Sequence, residues 1–234
     1  MLYLILGMVI VSWSIFINLT LKERRLESFY LKGLTSFTFI FLYAYGVYHY
    51  LITSIDQINE SKIVLIVAIG LGLVMGLLGD LFLEVQYFFS KGKIKQIKYG
   101  MIVFGIGHLF YIGAMTELIR FNPLSLVIGL FMTLVTYIGA KGMKLDFEKL
   151  KIYVYGYSFV IFTMMGQSIF QAIELNANTF SMMFLVGAIF FSISDLLLAP
   201  VYFKKETSKL FVIANLGTYY LGQTMIAFSV FFLT

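Results

Sequence analysis

Apolar residues run through this chain in eight long stretches, roughly 2–19, 34–52, 63–88, 99–119, 123–140, 152–173, 179–200 and 210–233, with short polar connections between them. A helix needs about 20 apolar residues to cross about 30 Å of hydrocarbon. The pattern therefore predicts an all-α integral membrane protein with eight transmembrane helices in one transmembrane domain, residues 1–234. The two prolines, Pro123 and Pro200, both stand at span ends and leave the helices between them unbroken. Composition agrees: 60% of the 234 residues are hydrophobic and 12% charged, with a mean hydropathy of +0.92. A soluble domain of this size has too few polar residues to cover such an interior. The first stretch has neither a basic leader nor a small-residue cleavage site, and is expected to stay as the first helix.

Charge adds orientation. Of the 17 lysines and arginines, 15 fall in the odd-numbered connections. The first holds Lys22, Arg24, Arg25 and Lys32, and the third Lys91, Lys93, Lys95 and Lys98. The fifth holds Lys141, Lys144, Lys149 and Lys151, and the seventh Lys204, Lys205 and Lys209. Only Lys62 and Arg120 lie in the even ones. Basic loops stay in the cytoplasm during insertion, so both termini are expected outside, in a bacterial-type inner (plasma) membrane. The net charge of +5 is then a surface beside anionic membrane lipids and not a nucleic-acid site. With no cysteine, disulfides, thiol nucleophiles and thiolate metal sites are excluded. The two histidines, His49 and His108, form no metal-binding pattern, and no phosphate-binding glycine loop or serine elbow occurs. Neither a metal nor a cofactor is expected.

Two segments repeat. Gly72–Leu83 (GLVMGLLGDLFL) matches Gly187–Leu198 (GAIFFSISDLLL) at an offset of 115, which pairs Asp80 with Asp195. The same offset lays Phe104-Gly-Ile-Gly-His108 on Tyr219-Tyr-Leu-Gly-Gln223. An ungapped offset shared by two motifs predicts duplication of a four-helix unit, with halves of about 1–119 and 120–234. Four helices per unit keep both copies in one orientation, about a pseudo-twofold axis along the membrane normal.

Helices 3 and 7 thus become equivalent, and their aspartates are expected to meet near the axis. Each aspartate follows about 16 residues of span, roughly 24 Å of helix, which puts it in the cytoplasmic half. A carboxylate in hydrocarbon costs about 2.5–3.5 kcal/mol even on lenient scales, so two retained ones point to use. Gly72, Gly76, Asp80 and Glu84 share one helix face. His108, with Tyr111 beside it, lies about nine residues into the fourth span, and Gln223 about fourteen into the last. Asn215, Tyr219, Tyr220 and Gln223 on helix 8 read as interhelical glue or as site residues. Lys32 and Thr35 open helix 2, where a lysine ordinarily snorkels but can also hold a lipid phosphate. Asn18, at the inner end of helix 1, is compatible with the same pocket. Gln167, Gln171 and Glu174 on helix 6 read as packing glue or a water-exposed groove toward the outer side, not as the main site.

At these residues the sequence resembles the YhhN family of lysoplasmalogenase-type membrane proteins over nearly its whole length. The likeness rests on Lys32-Gly-Leu-Thr35, Leu78-Gly-Asp80, Phe104-x-x-x-His108-x-x-Tyr111, Gly187-Ala-x-x-Phe-x-x-Ser-Asp195 and Tyr219-Tyr-x-Gly-Gln223. Gly33 departs from the proline usual in the family after the lysine. The resemblance implies eight helices and a lysophospholipid substrate, whose vinyl ether is hydrolysed to a fatty aldehyde and a glycerophospho head group.

The polar residues suit that chemistry on their own account. Vinyl ether hydrolysis needs an acid to protonate the alkene and a base to direct water at the resulting oxocarbenium ion. Two carboxyls in one apolar pocket provide both, because like charges disfavour joint ionisation, as in glycosidases. Asp80 and Asp195 are the expected catalytic pair. His108, Tyr219, Tyr220 and Gln223 would position water and glycerol oxygens, and Lys32 would bind phosphate. A transporter, or a sensor without catalysis, is the rival class. Against transport, no proline-broken helix marks a midplane site.

Overall fold

The structure, a computed structural model, describes all residues except 55, 57, 89–92, 205–206 and 234. Lys91 and Lys205 of the basic connections therefore lie outside the described residues. Among the described residues there are eight long helices and no strand. They are α1 (Leu2–Leu21), α2 (Arg25–Thr53), α3 (Glu60–Val85), α4 (Lys93–Thr116), α5 (Leu124–Gly142), α6 (Lys151–Glu174), α7 (Thr179–Phe203) and α8 (Lys209–Ser229).

Each apolar stretch is a helix, and the differences lie at the basic ends. The second helix starts at Arg25, well ahead of residue 34, because polar residues there extend it beyond the apolar region; Glu27 pairs with Arg24 in its first turn. Lys32 is thereby an interior residue of α2. Asparagines start the two aspartate helices alike. Asn59 accepts from the Lys62 amide and Asn178 from the Ser181 amide, each at 2.9 Å, satisfying amides that a helix start leaves free.

The bundle is apolar outside and polar within. Tyr3 is 88% exposed, and Leu130, Phe131, Ile138 and Ile152 also face outward, while Lys32, Asp80, Glu84, Gln167, Gln171 and Gln223 are buried. Water selects the opposite distribution; a hydrocarbon solvent selects this one. Helices α1, α3, α4, α5 and α7 have the length and apolarity to cross a membrane. The other three are equally long and carry most of the polar interior, which lowers their hydropathy. The protein is a helical membrane protein.

Helices α2, α3, α4, α6, α7 and α8 touch in that order, and contact between α8 and α2 closes them into a ring. Helix α1 packs outside the ring on α2 and α8, and α5 packs outside it on α6. Gln167 ties α6 to the start of α5: its Oε1 accepts from the Asn122 amide and the Ser125 hydroxyl at 3.0 Å each. The most extensive pairings, α3 with α4 and α7 with α8, both cross at two glycines 35 residues apart. A Cβ at Gly107 would stand 3.2 Å from the Gly72 carbonyl oxygen. One at Gly222 would stand 2.9 Å from the Gly187 carbonyl and 2.8 Å from the Phe191 amide nitrogen.

Those neighbours are backbone and cannot turn aside. Gly222→Ala is therefore expected to cost about 1–3 kcal/mol by overpacking. Gly113→Ala, where no atom outside the helix lies within 4 Å, should be nearly neutral. Unfolding of both variants in mixed micelles checks this.

Candidate functional site

The polar interior divides into two groups, one around each aspartate. The first joins α2, α3 and α8. Lys32 lies 3.4 Å from an oxygen of Asp80 and 3.4 Å from an oxygen of Glu84. The other Asp80 oxygen accepts from the hydroxyls of Ser36 and Tyr219, both at 2.6 Å. Lys32 is 4% exposed, Asp80 2% and Glu84 5%. The ammonium also faces the Phe16 ring, 5.8 Å from its centroid. From Tyr219 the network continues: the Gln223 amide donates to the Tyr219 hydroxyl at 3.5 Å, and Tyr111 donates to Gln223 at 3.1 Å.

The second group joins α4, α6 and α7. Tyr157 donates a short hydrogen bond to Asp195, and the same hydroxyl lies 3.2 Å from His108 Nε2. A tyrosine has one proton, so while it donates to Asp195 it accepts from Nε2–H. His108 Nδ1 then carries a lone pair, and it has no partner among the described residues. With Asp195 protonated, the chain can run the other way, Asp195 donating to Tyr157 and Tyr157 to His108. Protons are inferred from this geometry.

Asp195 and Tyr157 line a cavity of about 60 Å³ whose other walls, including Leu83, Phe104, Ile161 and Leu198, are mainly apolar. That volume holds a few water molecules or a short stretch of alkyl chain. A wider cleft of about 260 Å³ adjoins it where α4 begins and α7 ends, sharing Ile97, Tyr202 and Phe203. Its rim carries Lys93, Lys204, Asp146 and Glu148.

The two aspartates thus have different hydrogen-bond partners. No hydrogen bond joins them among the described residues. The Tyr219 ring that holds Asp80 packs against Phe104 and Phe191, at 6.1 and 5.3 Å between centroids, and Phe104 is itself cavity wall. Aromatic side chains are thus neighbours to both groups, Tyr219 on the side of Asp80 and Phe104 on the cavity wall with Asp195. A match in sequence pairs two positions without setting the distance between them.

Other residues take definite places. Lys32 neither snorkels nor reaches a head-group cleft, because two carboxylates already engage its ammonium. Asn18 is exposed on the outer face of α1, away from both groups. The Thr35 hydroxyl is buried but turned back to the Leu31 carbonyl at 2.7 Å. Asn215 fastens α8 to α7 through the Ser194 carbonyl and hydroxyl, at 2.8 and 2.9 Å. Tyr220 is fully buried against Phe16 and Trp13. His108 lies further along its helix than nine residues, since α4 begins at Lys93. Among the described residues no three His, Asp or Glu side chains gather as metal ligands.

Ser36 and Tyr157 were not singled out from the sequence. Serine is common in membrane helices, and Tyr157 ends a run of three alternate tyrosines, Tyr153, Tyr155 and Tyr157. The available signal was the repeat itself: an aspartate helix beside α2 in one half and beside α6 in the other should find a hydroxyl donor on each.

No curated protein and no solved structure matches this sequence. A family model matches residues 28–230, a range that contains both aspartates with all their partners, and the chain belongs to the YhhN family.

Proposed function

We propose that this protein is a membrane-embedded lipid hydrolase of the lysoplasmalogenase type, cleaving the vinyl ether of a lysophospholipid with Asp195 as its acid and base. The carrying observation is a carboxyl on the wall of a largely apolar cavity, with no ion-pair partner among the described residues. The wider reading is an eight-span protein of the plasma membrane, both termini outside, built by duplication of a four-helix unit. Two glycine crossings of equal spacing support the duplication.

On this reading the aspartates are equivalent in origin and different in use. Asp80 is engaged by Lys32, Ser36 and Tyr219. Asp195 has Tyr157 where Asp80 has Ser36, and Phe104 where Asp80 has Tyr219. At the offset of 115, Ala199 stands in place of Glu84, and it lines the cavity. Loss of the charged side chain leaves room for substrate.

One carboxyl can serve both steps. Asp195 gives its proton to the alkene carbon remote from the ether oxygen, leaving an oxocarbenium ion beside a carboxylate. Water adds to that cation and returns a proton to Asp195, and the hemiacetal collapses to fatty aldehyde and glycerol hydroxyl. Tyr157 holds the carboxyl, and His108 accepts or supplies a proton through Tyr157. Acid–base catalysis of this kind contributes about 10²–10⁴-fold. The glycerophospho group would lie toward the charged cleft, with Lys93 and Lys204 as phosphate partners in the role first given to Lys32. Asp195 and Lys204 are nine residues apart, about 13 Å along the helix, a gap that a glycerophospho group and a lysine side chain together can bridge.

The test is aldehyde release from a panel of lysophospholipids, with and without the vinyl ether, by purified protein in detergent. Release from vinyl ethers alone is expected. Uptake into vesicles with no aldehyde formed, or cleavage of ester analogues instead, overturns the reading.

A further inference from the structure

We propose that a lipid-facing groove between α4 and α6 is the side entrance by which a single hydrocarbon chain reaches Asp195, with Met101 and Tyr157 as its movable wall. This rests on the hydrolase reading and adds to it the route of the chain. The groove has a volume of about 190 Å³ and is lined by Met101, Ile102 and Gly105 on α4 and by Ile152, Gly156 and Tyr157 on α6, among others. Ile152 is 77% exposed and Ile102 39%, so on the membrane reading both stand in the acyl-chain region or at its edge.

Met101 and Tyr157 line this groove and also line the inner cavity. The two spaces lie back to back, one side-chain layer apart. The glycines create the outer one. A Cβ on Gly156 would meet nothing within 4 Å, and one on Gly105 only the Tyr157 ring at 3.7 Å. At the ring crossings glycine admits another helix; here the place beside Gly156 is left open.

Chemistry favours this side. A chain arriving through the charged cleft would have to move its methylenes past Lys93, Asp146, Glu148 and Lys204, whereas one sliding in from the bilayer stays in apolar surroundings throughout. Methionine has a flexible, adaptable side chain. Tyr157 is different, because it cannot swing without releasing both Asp195 and His108. Tyr157 therefore opens only for the passage of the chain and regains both partners once the chain is seated. The inner cavity of about 60 Å³ takes a short stretch of chain beside Asp195, and the rest of the chain lies in the groove.

The experiment compares a vinyl-ether lysolipid carrying a sixteen-carbon chain with a water-soluble four-carbon analogue. Gly156→Trp fills the groove outside the catalytic group. It is expected to lower kcat/KM at least tenfold for the long chain and less than twofold for the short one, while Gly113→Trp, also open to lipid, changes neither. Equal losses for both chains, or no loss for either, overturn the entrance. A wild-type protein that cleaves neither substrate overturns the hydrolase reading instead. Independently of how the variant folds, a long-chain lysolipid with a terminal diazirine should label peptides containing Ile102 or Ile152 of the wild-type protein. Labelling confined to other helices counts against the groove.

Discussion

Asp195→Asn is expected to abolish aldehyde release, with kcat falling about 10³-fold or more and KM moving only a few-fold. Asparagine keeps the shape and can still accept from Tyr157, but it has no proton to give, and general acid–base catalysis carries about 10²–10⁴-fold. Steady-state assays in detergent, corrected for folded protein, measure this. Asp80→Asn is the informative companion. Because Asp80 is enclosed by Lys32, Ser36 and Tyr219, its folded fraction should keep activity within about tenfold of wild type. Equal and complete losses in both variants would restore a shared two-carboxyl site and remove the division of labour between the aspartates. Tyr157→Phe belongs between them, since it leaves the acid in place and removes its hydroxyl partner.

The second large effect is on stability. Lys32→Met leaves Asp80 and Glu84 buried without the cation that lies 3.4 Å from each. Removing one partner of a buried ion pair typically costs about 3–5 kcal/mol, whereas replacing the whole set with apolar groups can cost nothing. The single variant should give poor yield and a strongly lowered unfolding midpoint in detergent. A triple variant, Lys32→Met with Asp80→Leu and Glu84→Leu, should recover much of the loss. The single variant should also improve as the pH falls, because protonating either carboxyl removes an uncompensated charge. A midpoint unchanged by Lys32→Met would mean that the ion group contributes nothing to the fold.

Much of the fold was legible because hydrocarbon imposes a simple rule on length and polarity. All eight apolar stretches are helices, and the equal spacing from Asp80 to His108 and from Asp195 to Gln223 located the elements of both polar groups. Less was legible where a side chain's direction decides. Lys32 looked like an interfacial lysine because helix α2 was expected to begin beyond it; charged first turns extend the helix and carry that lysine inside. Asn18 is exposed, on the face of α1 opposite to buried Phe16. Tyr157 could not be told from its two neighbouring tyrosines by spacing, since only packing against α7 selects the inward one. Asp80 takes Ser36 and Tyr219 as donors and Asp195 takes Tyr157, and a match in sequence contains no distance between the matched positions.

The contact between α8 and α2 that completes the ring has a consequence for biosynthesis. Lys32 and Asp80 leave the ribosome 48 residues apart, but Tyr219 follows Asp80 by another 139. For most of translation the Asp80 group is therefore short of a donor, and its flank toward the missing helix stays open to lipid or to the insertion machinery. Only insertion of α8 seals that seam, so a polypeptide stalled before residue 209 leaves the Asp80 group without its Tyr219 donor.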